Sequence, residues 1–432
     1  MQGKQQFCSL LSRIISCAAM AALAVTILFA LAVVLTPSAQ AQTFTVLHNF
    51  SGSGDGAQPQ VGLTPDAAGN FYGTTLSTVF KFKYVGSGWV INTLYHFQGG
   101  SDGGEAYGRV AIASDGTLYG TSFAGGGTNC YDGQGCGTVF HLTPAPAAPR
   151  TALAPWNETI VYRFTGGSDG GQPESDLTFD QAGNIYGNTR WGGYMGQTCN
   201  PNGCGVVYEL SPSVGGWTQT VLYTFHGADG SFPWSGVIFD QAGNLYGETG
   251  GGGQYNLGDV YELSPSGSGW MQQILYSFAT LSDGANPTGG LIFDASGNLY
   301  GGTGEGGTGG PPAGTVFELT PSNGGWTFHS LYSFPGCAYP YNGCAGPAGM
   351  AMDAAGNLYG ATYLDGAYGY GNVFKLTPSG GSWTYTSLHD FTGYADGAYP
   401  NSPVVFDAQG NLYGTASYGG AYDQGVVWEI TP

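Results

Sequence analysis

Apolar residues in this chain come in short runs bounded by Gly, Pro, Asn or Ser, and the runs recur in a fixed order. Residues 290–334 show one full round. Gly290 to Asp294 is a short apolar run, Asn298 to Thr303 a second, Thr315 to Leu319 a third, and Trp326 to Phe334 a fourth. Each is rich in β-branched and aromatic residues, the composition that suits a pleated, half-buried strand. No stretch after the first 41 residues shows helical periodicity of useful length. One round therefore predicts a four-stranded antiparallel sheet. Its second run carries the phrase Asp-x-x-Gly-Asn-Leu-Tyr-Gly, which returns with small variations in copies ending at Gly73, Gly120, Gly187, Gly247, Gly301, Gly360 and Gly414. Units of this length cannot bury both faces alone and must stack on neighbours. The expected fold is all-β, a seven-bladed β-propeller of four-stranded blades spanning residues 42–432.

The two ends of the chain predict how the ring closes. The third-strand phrase last occurs at Val427-Trp428 and runs into Thr431-Pro432, so the seventh blade lacks a fourth strand of its own. The fourth-strand phrase first occurs at Val46 to Phe50, ahead of any complete blade. The N-terminal strand is thus expected to complete the last blade, which removes two exposed sheet edges.

The first 41 residues read differently. Lys4 and Arg13 precede an apolar run from Ile14 to Leu35, and Ala39-Gln40-Ala41 is a small-residue cleavage site. This predicts a secretory signal peptide over residues 1–41, with an uncleaved N-terminal anchor as the alternative. No second apolar span follows, so no membrane span is expected after cleavage. The mature chain is expected to be secreted or periplasmic, and a monomer. Eight cysteines are present, and six of them fall in close pairs: Cys130 with Cys136, Cys199 with Cys204, and Cys337 with Cys344. In an exported chain such local pairs predict disulfides; the spacings are wider than those of thiolate metal sites, and no metal centre is expected. The formal charge is −19, from 9 basic and 28 acidic residues. That balance argues against nucleic acid, because too few cations remain to neutralise a phosphate backbone.

The phrase Phe-Asp-x-x-Gly-Asn-Leu-Tyr-Gly resembles the core of NHL-type and streptogramin-lyase-like propeller repeats. With the following Gly-Gly and Gly-Thr-Val-Phe-Glu-Leu, the full unit is most similar to the bacterial GloVer tandem repeats. The resemblance covers residues 44–432. It implies the repeat and the propeller, and carries no activity with it. The lyase-like propellers place His around the axis, whereas the matching inner positions of this chain hold none.

Residues that follow the repeat are expected to be structural. The Asp that ends the first strand (Asp66, Asp180, Asp240, Asp294, Asp353, Asp407) is placed to accept N–H groups of the Gly-Asn turn. The Asp-Gly after the fourth strand (Asp55, Asp102, Asp169, Asp229, Asp283, Asp396) lacks Asp-x-Asp-x-Asp spacing; no cofactor is expected there, with calcium as the alternative. The Tyr of Leu-Tyr-Gly and the Trp of the fourth strand read as core between blades.

Candidate chemistry lies where the repeat breaks. Six residues before the repeated Asp position stand Gln60, Tyr107, Glu174, Trp234, Thr288, Pro347 and Asn401. Two residues further on, mostly Gly or Pro, blades two and three carry Arg109 and Asp176, which read as an ion pair or as ligand contacts. The loops between second and third strands also vary, for example at Arg190 and Trp191. The expected binding residues are Tyr107, Arg109, Glu174, Asp176, Arg190, Trp191, Trp234 and Asn401. No common hydrolase, nucleotide or metalloprotease motif is present. The leading expectation is an exported, non-enzymatic binding propeller for a glycan, peptide or cell-surface partner. A carbohydrate-active hydrolase or lyase is the alternative, with acid and base drawn from Glu174, Asp176, Glu248 and Glu305. A structural secreted scaffold is the third.

Overall fold

The computed structural model describes residues 42–432 apart from 128–129, 131–132, 146–154, 200, 268, 309–312 and 336–345. The expected signal peptide, residues 1–41, lies outside the described residues. So does the third expected disulfide: Cys337 and Cys344 both fall within 336–345. The described chain folds into seven antiparallel sheets, each built from strands consecutive in sequence except the last. In blade four the strands are Ile238–Phe239, Leu245–Thr249, Asp259–Ser266 and Gly269–Ser277. The innermost strands are shorter than the sequence pattern suggests: two residues in most blades, where strands crowd toward the axis. The seventh sheet joins Val405–Phe406, Leu412–Ala416, Val426–Thr431 and the N-terminal Thr43–Asn49, in that order from the inside. The Phe50 N–H donates to Gly425 O at 3.0 Å, and the Ala421 N–H to Asn49 Oδ1 at 2.8 Å. The ring is therefore closed by the strand that precedes blade one. Among the described residues no helix is long and apolar enough to cross a membrane.

The repeated phrase has a physical reason at each position. The glycine of Leu-Tyr-Gly lies opposite the aromatic residue of the third strand, as Gly247 does opposite Tyr261. A Cβ on Gly247 would stand 2.4 Å from the Tyr261 hydroxyl, and one on Gly414 2.2 Å from the Trp428 ring. Only glycine lets the neighbouring ring cross the backbone there. The repeated Asp ties down its turn: Asp240 Oδ1 accepts the N–H groups of Ala242 and Asn244 at 2.8 and 2.9 Å, and Oδ2 accepts the Asn244 side-chain amide at 2.8 Å. Blade two has Ala113 instead, and Asp115 takes over by accepting the Thr117 N–H at 3.0 Å. Where an Asp follows a fourth strand, as in six of the seven copies, it acts similarly. Asp169 accepts the Thr165 N–H at 2.9 Å and the Tyr162 hydroxyl at 3.1 Å, while Asp55 and Asp396 pair with His48 and His389.

Blades adhere through aromatic contacts. The second-strand Tyr of one blade meets the fourth-strand Trp of the next: Tyr119 with Trp217, Tyr246 with Trp326, Tyr300 with Trp383, and Tyr413 with Trp89 across the closure. Edge-to-face contacts of this kind add to plain area burial.

Candidate functional site

The short inner strands leave a cavity of about 770 Å³ around the axis. Each blade contributes one residue from the same repeat position: Gln60, Tyr107, Glu174, Trp234, Thr288, Ala348 and Asn401. Blade six corrects the sequence count. Pro347 pairs with Thr362 as Pro287 pairs with Thr303, so this blade is one residue short and Ala348, not Pro347, takes the channel position. Arg109, Asp176, Arg190 and Glu305 also line the cavity. The structure thus brings together Tyr107, Arg109, Glu174, Asp176, Arg190, Trp234, Glu305 and Asn401.

Two expected residues stand elsewhere. Glu248 is fully buried behind the channel wall. Its Oε2 accepts the Gly290 N–H at 2.9 Å and the Ser235 hydroxyl at 3.3 Å. Burial raises its carboxyl to about 8 against those two hydrogen bonds. It braces the entrances to the inner strands of blades four and five. Trp191 packs on Phe232 at 4.8 Å, outside the channel lining.

Two ion pairs organise blades two to four. Arg109 holds Asp176 through its backbone N–H, Nε and Nη2, all at 2.7 Å. Arg190 Nη1 donates to Glu174 Oε1 at 3.0 Å, and its guanidinium lies between Trp191 and Trp234, at 4.9 and 4.3 Å from the ring centres. Burial raises the Glu174 carboxyl, and Arg190 opposes that rise. Arg190 Nε and Trp234 Nε1 are buried and have no hydrogen-bond partner among the described residues. Buried polar atoms outside the cavity, such as the Tyr208 and Tyr261 hydroxyls and Trp428 Nε1, share this state. Glu174 and Asp176 are each paired with a guanidinium, and Glu305 lines the same cavity. Among the described residues no three His, Cys, Asp or Glu side chains are grouped to hold a metal ion.

The connectors that deliver the channel residues share one feature that the sequence reading missed. Gln58, Glu105, Gln172, Phe232, Asn286 and Tyr399 all have φ between 52° and 60°, where glycine would be free of strain. In all but Glu105 the next residue is proline, and that recurring dipeptide was the available signal. These backbones link the blades. The Gln172 N–H donates to Cys136 O in blade two at 2.7 Å, and Gln172 O accepts the Arg190 N–H in blade three at 3.2 Å. The Phe232 N–H donates in the same way to Cys204 O at 2.9 Å. Two of the three expected disulfides, Cys130–Cys136 and Cys199–Cys204, are present and close the loops that provide these acceptors. Each therefore steadies the connector of the following blade, beside the channel. The third, expected between Cys337 and Cys344, stays an expectation of the sequence, since neither Cys337 nor Cys344 is among the described residues.

Two extracellular domains from B. thetaiotaomicron proteins described as hybrid two-component systems share this architecture. They overlap 89% and 90% of this chain with TM-scores of 0.53 and 0.52, at 12% identity each. The overlap spans only 39% and 41% of those longer chains. A gluconolactonase of Xanthomonas campestris overlaps 91% of this chain and 93% of its own at 15% identity, with a TM-score of 0.40, too loose to bear on function. Likeness at these identities shows the fold alone. No curated protein sequence matches the chain. The model of the Gloeobacter/Verrucomicrobia repeat matches residues 31–197, 131–346 and 273–432, so with its seven glycine-centred blades the chain belongs to that repeat family.

Proposed function

We propose that this protein is an exported, non-enzymatic binding propeller that holds a glycan at the mouth of its central channel. One observation carries the reading: a single repeat position supplies a different side chain from every blade, and all seven face one cavity. Around it the frame repeats closely. Side-chain amides and hydroxyls of Gln60, Asn286, Thr288 and Asn401 line the same space as the aromatic rings of Tyr107 and Trp234. Sugars are recognised by that combination, since hydroxyls exchange hydrogen bonds with amides while C–H faces lie on aromatic rings. The unpaired donors Arg190 Nε and Trp234 Nε1 favour a ligand rich in acceptor oxygens. Export rests on the leader-like residues 1–41 and on the local disulfides.

The test is a glycan array followed by titration calorimetry and product analysis. Binding without turnover is expected. Trp234→Ala and Glu174→Gln should each weaken it about tenfold or more, with little change in melting temperature. Unchanged affinity in both variants, a footprint on the Asp-x-x-Gly-Asn turns, or released products would overturn the reading. Capture of a peptide with no saccharide binding would replace it.

A further inference from the structure

The loops around the channel mouth differ in length. Between second and third strands they span 250–258, 363–371 and 417–425 in blades four, six and seven. In blade one the loop is only 75–77. Beside these, the loop of blade one is short, and the residues on either side of that gap are aromatic. Blade two presents Tyr107, packed edge-on to Phe123 at 5.5 Å. Blade seven presents Tyr418 and Tyr399, 5.8 Å apart. Tyr399 in turn stacks on Tyr363 of blade six at 5.0 Å. Burial raises the Tyr107 phenol, and the neighbouring Glu105 and Glu174, with Tyr418 last, add to that rise. Inside the gap the channel residues are the amides Gln60 and Asn401.

These tyrosines are not required by the blade core, which is built from the repeated residues described above. Tyr107, Tyr363, Tyr399 and Tyr418 are half-buried. Tyr399 holds φ at 58°, and the matching connector residues of five other blades hold similar values, so that conformation belongs to the frame. An aromatic side chain at that position, beside neutral amides and a short loop, has the chemistry of a sugar subsite.

We infer that the binding site continues from the channel out over blade one, and that its ligand is an oligosaccharide chain. One sugar sits in the channel against Trp234, and the chain leaves between Tyr107 and the Tyr399–Tyr418 pair. This rests on the glycan reading above and adds the ligand's length and path to it.

The test titrates the disulfide-bonded protein with cello-, chito-, xylo- and manno-oligosaccharides, from monosaccharide to hexasaccharide. Affinity for the preferred series should rise with length by about tenfold before levelling off, the scale of one or two aromatic stacking contacts. Tyr418→Ala and Tyr399→Ala should abolish that rise and leave the affinity for the shortest ligand unchanged. Leu76→Trp, which fills the gap without removing a tyrosine, should do the same. Trp234→Ala should weaken every length equally. Affinity independent of length, or an equal loss at all lengths in Tyr418→Ala and Leu76→Trp, would overturn the extended site while leaving the glycan reading in place. No binding at any length overturns both.

Discussion

Glu248 shows how a repeat position changes its physics when its residue changes. The same position is Thr74, Thr121, Asn188, Gly302, Ala361 and Thr415 in the other blades. Thr121 and Asn188 donate to a carbonyl of the next blade, Ser175 O and Ser235 O. Glu248 instead accepts, and its Oε1 has no hydrogen-bond partner among the described residues. Burial raises its carboxyl from 4.5 to about 8. A carboxyl whose folded value lies above its unfolded one retains a proton that the unfolded chain has lost. Stability from this group is therefore present below about pH 4.5 and declines as pH rises toward 8. Glu248→Gln keeps the shape and removes the titration. It should be more stable than the parent at pH 8 by roughly 1–3 kcal/mol, with a difference that shrinks toward pH 5, measured by urea unfolding across that range. An unchanged pH profile would show that Glu248 is not held protonated. The turn carboxylates titrate in the opposite sense. Burial pushes Asp66, Asp180, Asp240 and Asp353 up, but the hydrogen bonds of the turn outweigh it and hold them below 3.8. Their contribution is full above the ordinary carboxylate range and is lost only as pH falls through their lowered values.

At the level of the strand pair, the second and third strands meet across the repeated glycine, and the ring opposite it fills the space a side chain would need. Gly247 is not at a positive φ, so its requirement is one of contact and not of backbone freedom. Gly247→Ala puts a methyl group against the fully buried Tyr261 hydroxyl. Overpacking of this kind costs about 1–3 kcal/mol, and a matching loss in denaturant midpoint is expected. Gly243, in the neighbouring turn, gives the contrast. It holds φ at 88° with open space around it, so Gly243→Ala is penalised through the backbone alone.

At the scale of the whole molecule, the closing strand is the joint that makes a ring of a linear repeat. Removing residues 42–49 bares the edge of Val426–Thr431 and uncovers Trp428, against which Phe44 packs. An unpaired strand edge recruits other chains. The truncated protein should melt at lower temperature and form concentration-dependent oligomers in sedimentation, whereas the intact chain should not. Equal stability and a monomeric truncated form would show that the blade closes without that strand.

The seven-fold frame was legible in the sequence because its determinants are local. Strand runs, the turn Asp, the glycine under a ring and the split last blade are each set by residues near one another in the chain. The channel position was also legible, since departures from a repeat show in alignment of the chain with itself. Tertiary structure decided what those departures do. Glu174 and Arg190, Arg109 and Asp176, and Trp234 and Arg190 meet only because the ring brings neighbouring inner strands together. It placed Glu248 behind the wall, where burial and not sequence position determines its proton. The register of blade six was settled by its strand pairing, and the strained connectors left a sequence signal in the proline that follows most of them. Contacts between blades join residues far apart in the chain, and no local pattern encodes them.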